Sequence, residues 1–330
     1  MKINFFSSQP YDISFFEKVN YNYQHKLIFH EYALNEDTVD LIKDISCICV
    51  FVNDKLTTHV LEKLYEKGIR LIALRCAGFN NVDLITADKL GITVVRVPAY
   101  SPESVAEHAV GLMLSLSRHI HRAYNRIRES NFTLNGLLGF ELHRSKVGIV
   151  GTGRIGTAMA KILTGFGSTV IAYDPAPSDE CLSLGVNYVD FKSLCQQADV
   201  ISLHCPLTPD TQYLINKAAL QDMKQGVMLI NTSRGAVIDT QAVIDGLKNG
   251  HIGYLGLDVY EQEENLFFKD LSDQIISDDV FERLLTFPNV LITGHQGFFT
   301  DQALTSIAET TLKNIQRFEN KTECLHCCHI

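Results

Sequence analysis

"KVGIVGTGRIG", residues 146–156, is the stretch that decides how this chain folds. An apolar run ends in three glycines and opens onto a helix-forming segment, "GRIGTAMAKILTGFG". Gly151 permits a tight turn, Gly153 lets the backbone approach a diphosphate, and Gly156 allows close packing of helix on strand. The amides of Arg154 and Ile155 then face the diphosphate at the positive end of the helix. Asp174 closes the next apolar strand, "TVIAYD". Its carboxylate suits the ribose hydroxyls and repels a 2′-phosphate, which favours NAD over NADP. The plain alternative is a glycine-rich turn in an ordinary α/β domain; the flanking strand and helix weigh against it.

Downstream of this turn, apolar strands ("DVISLHCP", "GVMLINTS", "GYLGLDVY", "NVLITGHQ") alternate with helical stretches such as "NKAALQDM" and "DTQAVIDGLKNG". They are rich in Val, Ile and Leu without alternation, as in strands covered on both faces. Upstream, "KINFFS", "HKLIFHEYA", "CICVFV", "IRLIALR" and "ITVVRVP" alternate with "YDISFFEKVN", "NEDTVDLIKD", "TTHVLEKLYEKG" and "VDLITADKLG". That pattern predicts a second parallel sheet with helices on both faces. Between the blocks, residues 101–130 read as one long helix with Ser101 as cap, Pro102 in the first turn and Gly111 as sole breaker. At about 1.5 Å per residue it would span about 45 Å. Its apolar first half predicts burial, and its basic second half a solvated or interfacial surface. "EQEENLFFKDLSDQIISDDV" (261–280) reads as a loop-rich insertion. "TDQALTSIAETTLKNIQRFEN" (300–320) reads as an amphipathic helix capped by Thr300 or Asp301.

A length of 330 residues suggests about two domains. The formal net charge of −9 argues against a general nucleic-acid or anionic-membrane surface. No stretch nears the roughly 18 apolar residues of a membrane helix, and "MKINFFSSQPYDISFF" lacks a signal-like apolar core, so the cytoplasm is expected. Nine cysteines are scattered until the tail, "CLHCCHI", and no disulfide framework is expected. Cys324, His326, Cys327, Cys328 and His329 could together bind zinc or copper. Their spacing matches no standard finger, so no metal site is assigned and an exposed or partly packed terminus is the preferred reading.

Three further residues follow buried strands: Arg234 in "NTSRGAVID", Glu263 in "LDVYEQEENLFF" and His295 in "ITGHQGFFT". In a doubly wound sheet the strand C-termini share one edge, where the ligand crevice lies. That edge would receive a guanidinium, a carboxylate and an imidazole. Arg suits planar oxygen recognition of a 2-oxo acid, and His can protonate the alkoxide left by hydride addition. Glu beside the ring would favour its protonated form. Singly, each has a plain role, as ion-pair partner, loop acid or strand-end histidine; their joint placement after the glycine turn carries the argument.

At these residues the chain resembles the D-isomer-specific 2-hydroxyacid dehydrogenases, most nearly their fermentative D-lactate branch. The likeness runs through "LRCAGFNNVDL", "VPAYSPESVAEHAVGLML", "GIVGTGRIG", "LHCPLTPDTQYLI", "LINTSRGAVIDT", "GLDVYEQE" and "GHQGFFT", in family order. The resemblance implies a Rossmann NAD domain over 101–298, inserted in a flavodoxin-like substrate domain of 1–100 and 299–330, both doubly wound parallel-sheet α/β. Linkers near residues 100 and 298 would form a hinge, and the helix from Ser101 would be a candidate contact in a homodimer or higher homo-oligomer. It implies catalytic roles for Arg234, Glu263 and His295, and a seat for the substrate carboxylate on the amides of Ala77 and Gly78. Phe51, Tyr100 and Phe298 would wall a small pocket. Asp258 would hold the nicotinamide carboxamide, and His204, Cys205, Pro206 and Thr232 would lie along the cofactor.

The implied reaction is reversible hydride transfer between NADH and pyruvate, giving D-lactate. In related formate dehydrogenases the histidine partner is Gln, and Glu263 argues against that chemistry. The alternatives are a dehydrogenase of another D-2-hydroxy acid, which shares the triad, and an NAD-sensing scaffold, which would not need it.

Overall fold

Short, wholly apolar runs can form strands only where both faces are covered, and this rule shapes both halves of the chain. The computed structural model describes residues 1–43 and 46–328. The chain divides into two units, Met1–Ser101 together with the chain from Phe298 onward, and Pro102–Gly297.

The first unit runs β1 (Lys2–Phe5), α1 (Pro10–Asn20), β2 (Lys26–Phe29), β3 (Cys47–Val50), α2 (Thr58–Glu66), β4 (Leu71–Leu74), α3 (Leu84–Lys89) and β5 (Thr93–Val95). Its five strands are parallel in the order β2-β1-β3-β4-β5, a flavodoxin-like arrangement. Every residue of β3 and β4 is buried, in keeping with their central places. Thr57 and Asp83 cap α2 and α3 through the amides of Val60 and Thr86.

The second unit runs α4 (Pro102–Ser117), α5 (Ile120–Arg128), β6 (Lys146–Val150), α6 (Arg154–Gly165), β7 (Thr169–Tyr173), α7 (Asp179–Ser183), β8 (Asn187–Tyr188), α8 (Phe191–Gln197), β9 (Val200–Leu203), α9 (Lys217–Asp222), β10 (Val227–Asn231), α10 (Thr240–Lys248), β11 (Ile252–Leu257), α11 (Asp279–Leu285) and β12 (Val290–Ile292). The strands are parallel in the order β12-β11-β10-β9-β6-β7-β8. The order reverses between β6 and β9, which is where a doubly wound sheet opens its crevice. The chain then returns to the first unit as α12 (Asp301–Glu319), capped by Thr300 and packed on α1 and β4.

Four expectations are corrected. The single helix over 101–130 is broken at Arg118–His119, where His119 takes a φ of +52°. The carbonyl of Ser117 accepts the amide of Phe140, and a Cβ on Gly139 would lie 1.9 Å from that oxygen, so the 136–140 segment occupies the path of the next turn. The helix read in "NEDTVDLIKD" is a single 3₁₀ turn, Val39–Leu41. Asn35 Oδ1 accepts the amides of Asp37 and Thr38, and this local turn competes with a helix; residue 44 of that stretch lies outside the described residues. The short α7 and β8 were not expected; Ser178 caps α7, and β8 adds an edge strand beside β7. The tail contains a disulfide, Cys324–Cys327, where no disulfide framework is expected, its two thiols lying three residues apart in one turn. His329 lies outside the described residues.

Candidate active site

The glycine turn sits at the reversal of the seven-stranded sheet, and its three glycines meet three different surroundings. Gly151 has a φ of +92°, and a Cβ there would lie 2.7 Å from the Cys205 amide nitrogen, so β6 and the end of β9 touch backbone to backbone. A Cβ on Gly156 would lie 2.0 Å from the Gly151 carbonyl oxygen, which brings α6 down onto β6. Around Gly153 a Cβ would meet nothing within 4 Å. Gly153 is also the N-cap of α6 and has no side chain to satisfy the first-turn amides, including those of Arg154 and Ile155.

Asp174 stands at the end of β7 and bears on the same turn. Its Oδ2 accepts the Thr152 amide at 2.6 Å and its Oδ1 the Ala176 amide at 2.8 Å. A carboxylate has about four lone-pair positions, so capacity remains for hydroxyl donors. Beyond β9, Cys205 is buried, and burial pushes its thiol up to about 11, which leaves it protonated near pH 7. Burial likewise lowers the His204 imidazole to about 4, so the ring is neutral. Its Nε2 lies 2.9 Å from Ser202 Oγ, while its buried Nδ1 has no partner. Pro206 begins the loop that follows, its carbonyl accepting Thr211 Oγ1. After β10, the buried Thr232 hydroxyl also lacks a partner. An open backbone turn, uncapped helix amides and two orphaned polar atoms on one sheet edge suit NAD, which offers phosphate, hydroxyl and amide groups.

The chemistry-bearing residues follow the next three strands. Arg234 follows β10; its carbonyl accepts Asn231 Nδ2 at 2.9 Å, and its Nη1 donates to the Ser233 carbonyl at 2.7 Å. A Cβ on the adjacent Gly235 would lie 2.1 Å from the Tyr260 carbonyl carbon, so the loops after β10 and β11 are in direct contact. The Tyr260 amide in turn donates to Glu263 Oε2 at 3.0 Å. Glu263 Oε1 lies 2.8 Å from His295 Nδ1. Both side chains are about one-fifth exposed, enough for access and too little for full solvent screening. Glu261, two residues earlier, bonds instead to Tyr213 and Thr240.

His295 takes a left-handed φ of +54°, a conformation that a non-glycine residue adopts only when its surroundings hold it there. The holder is Asp258, which is 2 % exposed. Its Oδ1 accepts Thr293 Oγ1 and the Gln296 amide, its Oδ2 accepts the Gly297 amide at 2.8 Å, and His108 Nε2 lies 3.2 Å away. Burial alone would raise the Asp258 carboxyl; bonds from His108 and Thr293 outweigh it and hold the group below its ordinary value. Asp258, expected at the nicotinamide carboxamide, clamps the 293–297 turn, a contact that no local pattern announces. His108 and Thr293 were missed altogether. The only sequence signal was the pair Glu107–His108 within the largely apolar "VAEHAVGLML".

In the first unit, Phe51, Tyr100 and Phe298 come together, with ring centroids 6.1 and 6.3 Å from Phe298. Ala77 and Gly78 follow β4, and neither donates its amide to another described residue. Beneath them lies a web that the sequence reading did not anticipate. Arg75, 1 % exposed, donates from Nε to Asp12 and from Nη2 to the Ser7 carbonyl, and its guanidinium lies 4.9 Å over the Phe51 ring. Asp54 accepts the Phe51 amide at 2.6 Å and the Ser7 hydroxyl at 2.8 Å. A charged residue ending the buried run "LIALR" was the available signal.

Comparison with known proteins agrees with this arrangement. Residues 110–297 match the family model for the D-isomer specific 2-hydroxyacid dehydrogenase, NAD binding domain. A D-lactate dehydrogenase of Escherichia coli is 53% identical over 324 residues, covering 98% of each chain. A 2-hydroxyacid dehydrogenase homolog of Haemophilus influenzae is 52% identical with the same coverage. Among solved structures, the apo form of the Escherichia coli D-lactate dehydrogenase superposes with a TM-score of 0.91 at 50% identity over 100% of both chains. The Aquifex aeolicus D-lactate dehydrogenase complexed with NAD and lactic acid gives 0.87 at 35% identity, covering 97% of this chain and 96% of that one. With its glycine turn, its His–Glu pair and these matches along nearly its whole length, the chain belongs to the D-isomer-specific 2-hydroxyacid dehydrogenase family.

Proposed function

We propose that this chain is an NAD-dependent D-lactate dehydrogenase that interconverts pyruvate and D-lactate. The observation that carries the reading is the contact between His295 Nδ1 and Glu263 on the rim that also bears the glycine turn. NADH, when bound, supplies the hydride. With Nδ1 committed to Glu263, His295 exchanges its proton through Nε2: it protonates the carbonyl oxygen as hydride reaches the adjacent carbon, and takes the proton back in lactate oxidation. Glu263 stabilises the imidazolium and fixes the ring plane. Arg234 grips the substrate's carboxylate and carbonyl oxygens in a planar fork. The amides of Ala77 and Gly78 are assigned to the substrate carboxylate, and Phe51, Tyr100 and Phe298 to a wall that leaves room for a methyl group rather than a large side chain. Cofactor contacts fall to Gly151, Gly153, Arg154, Ile155, Gly156, Asp174, His204, Cys205, Pro206 and Thr232; Asp258 adds the carboxamide contact while it clamps the 293–297 turn.

Residues 1–100 and 299–330 act as the substrate domain and 101–298 as the cofactor domain. The enzyme works in the cytoplasm, where fermentation reoxidises NADH, and as a homodimer. Ile120, Tyr124 and Ile127 recur at helical spacing on α5 and are each more than half exposed, as are Phe132, Leu134 and Leu138 in the following segment. A second copy of the chain is the natural cover for such a surface.

The decisive experiment follows NADH absorbance with pyruvate, 2-oxobutyrate, hydroxypyruvate and phenylpyruvate, with chiral analysis of the product. Pyruvate as preferred substrate and D-lactate as product are expected. A strong preference for phenylpyruvate, or an L product, would overturn the reading.

A further inference from the structure

The Cys-rich tail has no part in the chemistry above, yet it is tied to the loop that carries Ala77 and Gly78. Residues 326–328 pair antiparallel with β5, the edge strand of the five-stranded sheet. The Arg96 amide donates to the His326 carbonyl at 3.1 Å and the Cys328 amide to the Val94 carbonyl at 2.8 Å. Asn314 of α12 bridges the two strands, donating to the Arg96 carbonyl and facing His326 Nδ1, each at 3.0 Å. Arg96 thus has its amide held by the tail and its carbonyl by α12. Its side chain reaches the 76–79 loop: Nη1 donates to the Ala77 carbonyl at 2.8 Å, and the guanidinium lies 5.0 Å over the Phe79 ring.

The start of the tail is fastened to the end of α12, the Thr322 amide and hydroxyl both donating to the Arg317 carbonyl. A cavity of about 590 Å³ lies beside the tail, lined by Thr93, Val95, Phe318, Cys324 and Cys327 among others. The Cys324–Cys327 disulfide closes a short turn whose second cysteine is itself the residue paired with Val95, and so removes freedom that docking would otherwise cost. Cys324 is exposed, and an attacking thiolate can reach its sulfur. Burial raises the neighbouring Cys328 thiol above its ordinary value, which makes it a poor competitor in exchange.

We propose that Cys324 and Cys327 form a thiol–disulfide modification site whose oxidised form docks the tail as an edge strand behind Arg96 and so steadies the 76–79 loop. The co-reactant is a low-molecular-weight thiol. Its thiolate attacks Cys324 Sγ, a mixed disulfide forms, and the S–S electron pair leaves on Cys327 Sγ, which takes a proton. A second thiolate attacks the outer sulfur of the mixed disulfide and releases Cys324 as a thiolate, which is also protonated. The protein gains two electrons, and the two small thiols leave as one disulfide. That the steadied loop seats a carboxylate rests on the proposed function; the modification and the docking do not.

The test equilibrates the full chain in glutathione buffers of defined reduced-to-oxidised ratio, counts alkylated thiols by mass, and follows amide hydrogen exchange over 76–79 and 94–97. The oxidised form should show two fewer alkylated thiols and amide exchange slower by about 5-fold or more in both segments. The pyruvate KM should be about 3-fold lower in the oxidised form with the NADH KM unchanged. A Cys324→Ser, Cys327→Ser double variant should match the reduced form in either buffer. The proposal falls if both cysteines stay alkylatable in the most oxidising buffer, or if exchange is the same in both forms. It also falls if the double variant matches the oxidised chain. Absence of turnover with every 2-oxo acid would sink the proposed function alone, because exchange still decides this one.

Discussion

Two histidines on one sheet edge are set to opposite tasks by what lies beside them. His295 faces a carboxylate, Glu263, at 2.8 Å and is held in a left-handed turn by the Asp258 clamp. His204 faces a hydroxyl and is kept neutral by burial. His295→Gln should lower kcat for pyruvate reduction by about 10²–10⁴-fold, the usual worth of a positioned proton donor. The NADH Kd, read by fluorescence titration, should stay within about 2-fold, since the loss is confined to the chemical step. His204 makes a prediction about pH. Its folded value of about 4 lies below the ordinary 6.5, so in that window the unfolded chain binds the extra proton. Stability therefore rises with pH between about 4 and 6.5, by up to about 1.4 kcal/mol per unit for one proton. Denaturant unfolding of His204→Gln should show that slope reduced between pH 5 and 6; an unchanged slope would mean that the imidazole carries no such linkage.

The strand–turn–helix element from β6 to α6 separates two demands that its glycine pattern combines. At Gly156 a Cβ collides with a backbone oxygen, whereas at Gly153 it enters open space. Gly156→Ala should destabilise the fold by about 1–3 kcal/mol, as overpacking against backbone does. Gly153→Ala should leave the melting temperature within about 2–3 °C, corresponding to a change below about 1 kcal/mol, and yet weaken NADH binding. Equal loss of stability in both variants would contradict the open cradle. This element was legible from residues because its pattern is local: an apolar run, turn glycines, a helix start. The break after α4 was not legible. "SLSRHIHRAY" carries no proline or glycine, and the turn that ends the helix is imposed by Phe140, which takes the Ser117 carbonyl from a distant point in the chain.

At the scale of the whole molecule, the exposed apolar face of α5 and the 132–138 segment calls for a partner. Ile120→Asp combined with Ile127→Asp should convert a dimer to a monomer in sedimentation velocity, because a carboxylate buried at an apolar contact is strongly disfavoured. An unchanged sedimentation coefficient would mean that this face is not the proposed contact between copies. No described helix is long and apolar enough to cross a membrane.

By itself, the sequence determined two parallel α/β sheets and the glycine turn of an NAD-binding domain, and it singled out Arg234, Glu263 and His295 as the candidate reactive groups. Each of these is written in a local pattern: buried strands as unbroken apolar runs, glycines where backbones must touch, reactive side chains just past strand ends. Only the tertiary structure decided that Asp258 and His108 clamp the 293–297 turn, and that Arg75, Asp12 and Asp54 lie buried beneath Phe51. Only the tertiary structure joined the tail to Arg96 and Ala77. The physical reason is the same in every case. A buried polar group must find its partner wherever the fold brings one, and partners far apart in sequence leave no periodicity behind.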